Sequence, residues 1–351
     1  MAERFTHESA PARVLFGAGR AADTPEEAAR LGSRPLLIVD PVAASIAGRL
    51  VATLDAAAVA VIDEVRQHVP VADADAARST ARKAGADVVI SFGGGSTIGL
   101  AKAVALTEHL PIVAVPTTYS GSEMTPVWGL TTDGTKTTGI DPVVAPRTVV
   151  YDPELTLSMP ASTTAASGLN AMAHCIDALW ARGRTPLTDT MAERGIASLA
   201  QSLPATVRDG QDLEAREQML VGAWVAGTAF AVAGSSLHHK LCHVLGGRFD
   251  LPHAETHAAM LPWTSACALR RHPRAAAAIV RALGAGDPTR NLLELVAEAG
   301  APTSLAELGL REKQTRALAD SLDIDAMHLT FTLPRDELRQ LLLEAYGLRS
   351  N

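Results

Sequence analysis

A chain of 351 residues with 47% hydrophobic and 20% charged side chains is long enough to bury more than one core, and reads as soluble and globular. A formal net charge of −7 offers no basic footprint for nucleic acid, and no apolar run is long enough to span a bilayer. Three cysteines, Cys175, Cys242 and Cys267, lie in helix-like segments without CxxC spacing, as reduced packing thiols do, and Met1–His7 lacks a basic, then apolar, leader. The expected location is the cytoplasm.

The first part of the chain alternates short apolar runs with helical patterns. Leu36–Val39, Ala58–Ile62, Val88–Phe92 and Ile112–Val115 are runs of the kind buried on both faces of a parallel sheet. Between them lie Thr24–Leu31, Ala43–Leu54, Ala72–Ala84 and Ile98–Leu106, all good helix formers. This order predicts a Rossmann-like α/β domain with a doubly wound parallel sheet, over 1–155. Val127–Thr131 and Thr137–Ile140, joined through Asp133-Gly134, predict a hairpin, and Pro146–Tyr151 one more strand. After that the strand pattern disappears. Thr163–Ala181, Leu187–Leu203, Leu213–Ala233, Ser236–Leu245, Thr256–Leu269, Pro273–Leu283, Asn291–Ala299, Lys313–Ser321 and Arg335–Leu343 predict an all-helical domain over 156–351, and a cleft between two domains is a preferred place for a ligand.

Phe92-Gly93-Gly94-Gly95-Ser96-Thr97 follows a strand and opens a helix. Free amides and the helix dipole attract a phosphate there, and glycine lets the backbone approach it; the alternative is a tight turn that merely needs glycine. It is neither GxGxxG nor a Walker loop. Pro116-Thr117-Thr118-Tyr119-Ser120-Gly121-Ser122-Glu123 repeats the situation with hydroxyls able to bond a dinucleotide, although a capped loop has the same composition. Of eleven histidines, five fall between Ser235 and His257. His239 and His243 are four apart, hence on one helix face, with Lys240 beside them. Gly246-Gly247 is expected to stop that helix, and Pro252-His253 to start the next. Asn170 and His174 are again four apart, and with His239 and His253 make four groups around one point. Each histidine taken singly reads as a satisfied core group; the cluster with its lysine is harder to read so, because burying such groups is unfavourable unless they are paired or used.

On Gly93-Gly94-Gly95-Ser96, Pro116-Thr117-Thr118 with Gly121-Ser122-Glu123, Gly168-Leu169-Asn170 through His174, and His239 through His253, the chain resembles the iron-containing alcohol dehydrogenase family over essentially its whole length. The resemblance implies a dehydroquinate synthase-like architecture and a nicotinamide cofactor, NADH with NADPH as the alternative. Within the family, Tyr119 to Pro126 and His238 to His243 are most similar to reductases that act on maleylacetate, a dicarboxylate whose ketone is conjugated to a C=C bond. Metal-dependent members hold their ion with an Asp and three His, and the matching positions are Asn170, His174, His239 and His253. A neutral amide in place of the carboxylate, with Lys240 nearby, leads to the expectation of no catalytic metal. Gly99 stands where many relatives carry Asp, and Lys102 keeps its place one turn on.

The resemblance thus implies a homodimeric reductase of a small dicarboxylate, with no nucleic-acid or membrane partner. Gly93, Gly94, Gly95, Ser96, Thr97, Thr117, Thr118 and Ser122 are expected to bind the dinucleotide, with Asp40 on its adenosine ribose. His243 is expected to donate the proton, His239 and His253 to stabilise an enolate or bind a carboxylate, and Lys240 to take the second carboxylate. Asn170, His174, His238 and Tyr119 complete the substrate set, one of His238 and His257 being structural. The rivals are a metal-dependent alcohol or hydroxy-acid dehydrogenase, a lyase of the dehydroquinate synthase type, and a dinucleotide sensor without turnover.

Overall fold

The computed structural model describes residues 5–9, 12–46, 48–132 and 135–348. Two compact units are formed, one from Ser9–Met159 with Gly210–Leu220, the other from Met1–Glu8, Pro160–Asp209 and Val221–Asn351. Residues 213–220, the start of a helix by pattern, therefore pack with the strand-bearing unit.

That unit is built on a six-stranded sheet in the order β1-β8-β5-β4-β2-β3, parallel throughout. Its strands are β1 (Arg13–Phe16), β2 (Pro35–Val39), β3 (Ala60–Ile62), β4 (Val88–Gly93), β5 (Ile112–Pro116) and β8 (Thr148–Tyr151); β6 (Val127–Thr132) and β7 (Thr135–Ile140) pair antiparallel as a separate ribbon. The expected turn residues Asp133 and Gly134 lie outside the described residues. Helices α1 (Thr24–Ala29), α2 (Pro41–Ile46), α3 (Gly48–Ala57), α4 (Val71–Ala84) and α5 (Gly95–Glu108) connect the strands. Every residue of β4, β5 and β8 is buried, as continuous Val, Ile and Ala runs require when both faces of a sheet are covered. Sequence pattern missed β1, whose apolar stretch, Val14–Phe16, is only three residues long.

The second unit holds α6 (Ala161–Ala178), α7 (Pro186–Arg208), most of α8 (Leu213–Ala233), α9 (Leu237–Phe249), α10 (His253–Leu269), α11 (Pro273–Leu283), α12 (Pro288–Glu298), α13 (Glu312–Ser321) and α14 (Arg335–Tyr346). Small residues bring α6, α7 and α8 together: a Cβ on Gly195 would collide with Cys175 Sγ, and one on Gly222 would lie 2.6 Å from Leu199 Cγ. α7 runs on through Pro204, because the buried positions Leu199, Leu203 and Thr206 hold it against its neighbours. α9 likewise continues through Gly246 and Gly247, which were expected to end it, and stops where Asp250 turns left-handed at φ 54°. No single helix among the described residues is long and apolar enough to cross a membrane.

Candidate active site

In the α/β unit, β4 and β5 are neighbours, so the turns at their carboxyl ends meet. Thr117 N donates to Gly93 O at 3.1 Å. Gly93 has φ 155°, and a Cβ there would lie 2.5 Å from Thr97 Oγ1 and 2.8 Å from Asp40 Cβ; glycine is required at that turn. Cβ atoms on Gly94 and Gly95 would lie 3.1 Å from Thr118 Cγ2 and 3.3 Å from Ser120 Cβ. The expected cofactor residues Gly93, Gly94, Gly95, Ser96, Thr97, Thr117 and Thr118 thus share one rim at the start of α5. Thr97 is fully buried, and its hydroxyl has no hydrogen-bond partner in the protein. Asp40 spends Oδ1 on the first amides of α2, Val42 N at 2.7 Å and Ala43 N at 3.4 Å.

Sequence reasoning noted Lys102 but gave it no function. It is buried in α5, and its ammonium donates to the carbonyls of Ser122, Thr125 and Val127 at 2.6, 2.8 and 2.9 Å, and to Ser122 Oγ at 3.3 Å. Ser122 therefore serves at least partly as an anchor of its own loop. Burial pulls the Lys102 ammonium down to about 7, against the charge of Glu123. Burial in turn pushes the Glu123 carboxyl up, while it accepts from Tyr151 Oη at 2.7 Å. Tyr119, expected to meet substrate, is fully buried, and its hydroxyl accepts from Arg216 at 3.1 Å. Tyr119 therefore packs inside this unit instead of meeting substrate. No sequence signal marks this, since Arg216 stands between Glu214 and Glu217 at the charged start of α8.

In the helical unit the histidines gather. Ring centroids lie 4.8 Å apart for His174 and His239, 4.8 Å for His239 and His257, 4.5 Å for His257 and His253, 6.0 Å for His253 and His243, and 6.4 Å for His243 and His239. Phe230 packs on both His174 and His239. Asn170 Oδ1, His174 Nδ1, His239 Nε2 and His257 Nε2 are buried without a hydrogen-bond partner in the protein. Burial holds the imidazoles of His174, His239 and His257 well below their ordinary range and brings His238 to about 3. His243 and His253 are only half-buried.

Two expectations need correction. Lys240 donates to the main-chain carbonyls of Met327 and of His328, the latter at 3.3 Å, so its charge is spent on the 327–328 backbone. His238 is fully buried between Thr264 Oγ1 at 2.8 Å and His257 Nδ1 at 2.9 Å, which makes it structural. As for the metal that the family's name implies, the side chains with ligand atoms all within 4.8 Å of one another are His238, Cys242 and His257 among the described residues, rather than His174, His239 and His253. Burial raises the Cys242 thiol well above its usual range, against thiolate formation. With a neutral amide at Asn170, the family's position lacks the anionic ligand that an aspartate would give a divalent ion there.

The iron-containing alcohol dehydrogenase profile matches residues 11–153, and that of the C-terminal part of the Fe-containing alcohol dehydrogenase family matches residues 164–346. The chain belongs to the iron-containing alcohol dehydrogenase family. It is 49% identical over 307 residues to the maleylacetate reductase of Sphingobium indicum, covering 88% of this chain and 87% of that one. The crystal structure of maleylacetate reductase from Agrobacterium tumefaciens superposes with a TM-score of 0.92 at 41% identity, covering 99% of both chains. That of sulfoacetaldehyde reductase from Bifidobacterium kashiwanohense, in complex with NAD+, gives 0.88 at 26% identity, covering 99% of this chain and 100% of the other.

Proposed function

We infer that this chain reduces the C=C bond of maleylacetate to 3-oxoadipate with a hydride from NADH and without a catalytic metal. The observation that carries the reading is the buried cluster of imidazoles beside a neutral Asn170, in a chain similar along nearly its full length to maleylacetate reductases.

The glycine turn at the start of α5 binds pyrophosphate through main-chain amides, with Thr117 and Thr118 on the adjoining turn. Asp40 at the end of β2 disfavours a 2′-phosphate, so NADH is the preferred donor. Hydride leaves C4 of the nicotinamide for the carbon β to the ketone. The electron pair of the C=C bond moves to the ketone oxygen as an enolate, and collapse of the enolate takes a proton at the α carbon. His243 supplies that proton, because it is half-buried in the cluster and can be reloaded from water, whereas the fully buried rings resist protonation. His253 holds the enolate oxygen, with Asn170, His174 and His239 shaping the pocket around it. Family resemblance supports a homodimer.

The test is NADH oxidation with maleylacetate by enzyme of measured metal content, with and without EDTA. Turnover by metal-free enzyme is expected. Activity that tracks iron or zinc would instead make the chain a metal-dependent dehydrogenase.

A further inference from the structure

We propose that Asp177 is a positioning residue that holds His239 as the Nδ1–H tautomer, leaving Nε2 as the one edge of that ring open to a bound molecule. The inference rests on the reading of the histidine cluster as the reducing site. Asp177 lies on α6, three residues after His174 and seven after Asn170, so the helix presents all three on one side. It is fully buried.

Burial pushes its carboxyl up, and the main-chain and indole N–H groups that donate to it pull it back down. Oδ2 accepts from Ser236 N at 2.7 Å and His239 N at 3.4 Å and lies 3.0 Å from His239 Nδ1, and Oδ1 accepts from Trp180 Nε1 at 2.9 Å. Two of these donors are amides at the start of α9, where a negative charge is favoured. One carboxylate therefore fixes both the origin of the helix that carries His239 and the rotation of the ring itself. A carboxylate behind an imidazole sets its tautomer and makes the far nitrogen more basic.

The neighbouring pair follows the same logic without a charge. Thr264 Oγ1 donates to Met260 O at 2.9 Å, so its oxygen accepts from His238 Nδ1. His238 Nε2 then accepts from His257 Nδ1, and His257 is left with a bare Nε2. His239 and His257, 4.8 Å apart by centroid, thus both present lone pairs, but only His239 has an anion behind it. Of these two, His239 is the ring whose bare Nε2 is the stronger hydrogen-bond acceptor toward a bound molecule.

The experiment combines kinetics with long-range 1H–15N spectra of histidine-labelled enzyme. In the wild type, His239 is expected to carry its proton on Nδ1; a spectrum with the proton on Nε2 overturns the proposal whatever the variants do. Asp177→Asn is expected to lower kcat on the order of 10²-fold or more, with KM for NADH changed less than about twofold. Trp180→Phe, which removes the support at Oδ1 and part of the ring stacked on His272, is expected to keep kcat within about threefold, and a purely structural role would make the two variants alike. If His239→Gln is inactive while Asp177→Asn keeps wild-type kcat, the role given to Asp177 fails. If His239→Gln keeps wild-type kcat, the reading of the cluster as the reducing site fails instead.

Discussion

Lys240 donates to the main-chain carbonyl of Met327. That bond, with one from Thr330 Oγ1 to Trp180 O at 3.0 Å, ties the segment around residues 327–330 to the helices that carry the histidines. Lys240→Met should therefore lower stability on the order of 1 kcal/mol, read by thermal melting. KM for maleylacetate should stay within about threefold, whereas a lysine that clamps a carboxylate would raise it far more.

Gly93→Ala tests the cofactor turn. The added methyl meets Thr97 and Asp40 in a backbone with φ 155°. The strain costs about 1–3 kcal/mol, and the displaced turn should raise KM for NADH at least about tenfold. Stopped-flow NADH binding separates this from loss of folded protein.

Lys102 gives a pH signature. Its folded-state value is about 7, and the unfolded lysine keeps its proton to about 10.4. Below the lower value both states are charged and the burial penalty is felt in full. Between the two the unfolded chain binds more protons, so this group's contribution to stability rises with pH. The melting temperature of wild type minus that of Lys102→Met should grow from about pH 7 to about pH 9.5. A flat difference would mean that the carbonyls of Ser122, Thr125 and Val127 keep the ammonium charged throughout.

Gly195→Ala tests close packing. The methyl has no room against Cys175, so a loss of about 1–3 kcal/mol is expected in denaturant titrations. Activity per folded molecule should be unchanged, since Gly195 contacts none of the clustered histidines.

What could be read in sequence was whatever repeats locally. The runs at Val88–Phe92 and Ile112–Val115 are continuous because β4 and β5 are covered on both faces, and His239 and His243 share a face through helical spacing alone. What escaped depends on distant partners. Tyr119 is held by Arg216, ninety-seven residues on, and Lys240 by a carbonyl eighty-seven residues on. No spacing rule links such pairs. Asp177 was nearer to legible: three residues after His174 on one helix, it was an acid in an apolar segment that still needed a partner. The glycines at 246 and 247 misled because tertiary packing kept the helix going beyond its local preference.

The sheet closes at its margins with β1, four residues long, and β3, three residues long. An unpaired strand margin is a template on which a stray chain can add itself. Here each margin offers an intruder only a few main-chain groups, too few to hold an added strand in register. Filament growth by strand addition is thereby discouraged at both ends of the sheet, and the long, apolar strands that would best support it, β2, β4 and β5, are sealed in the middle.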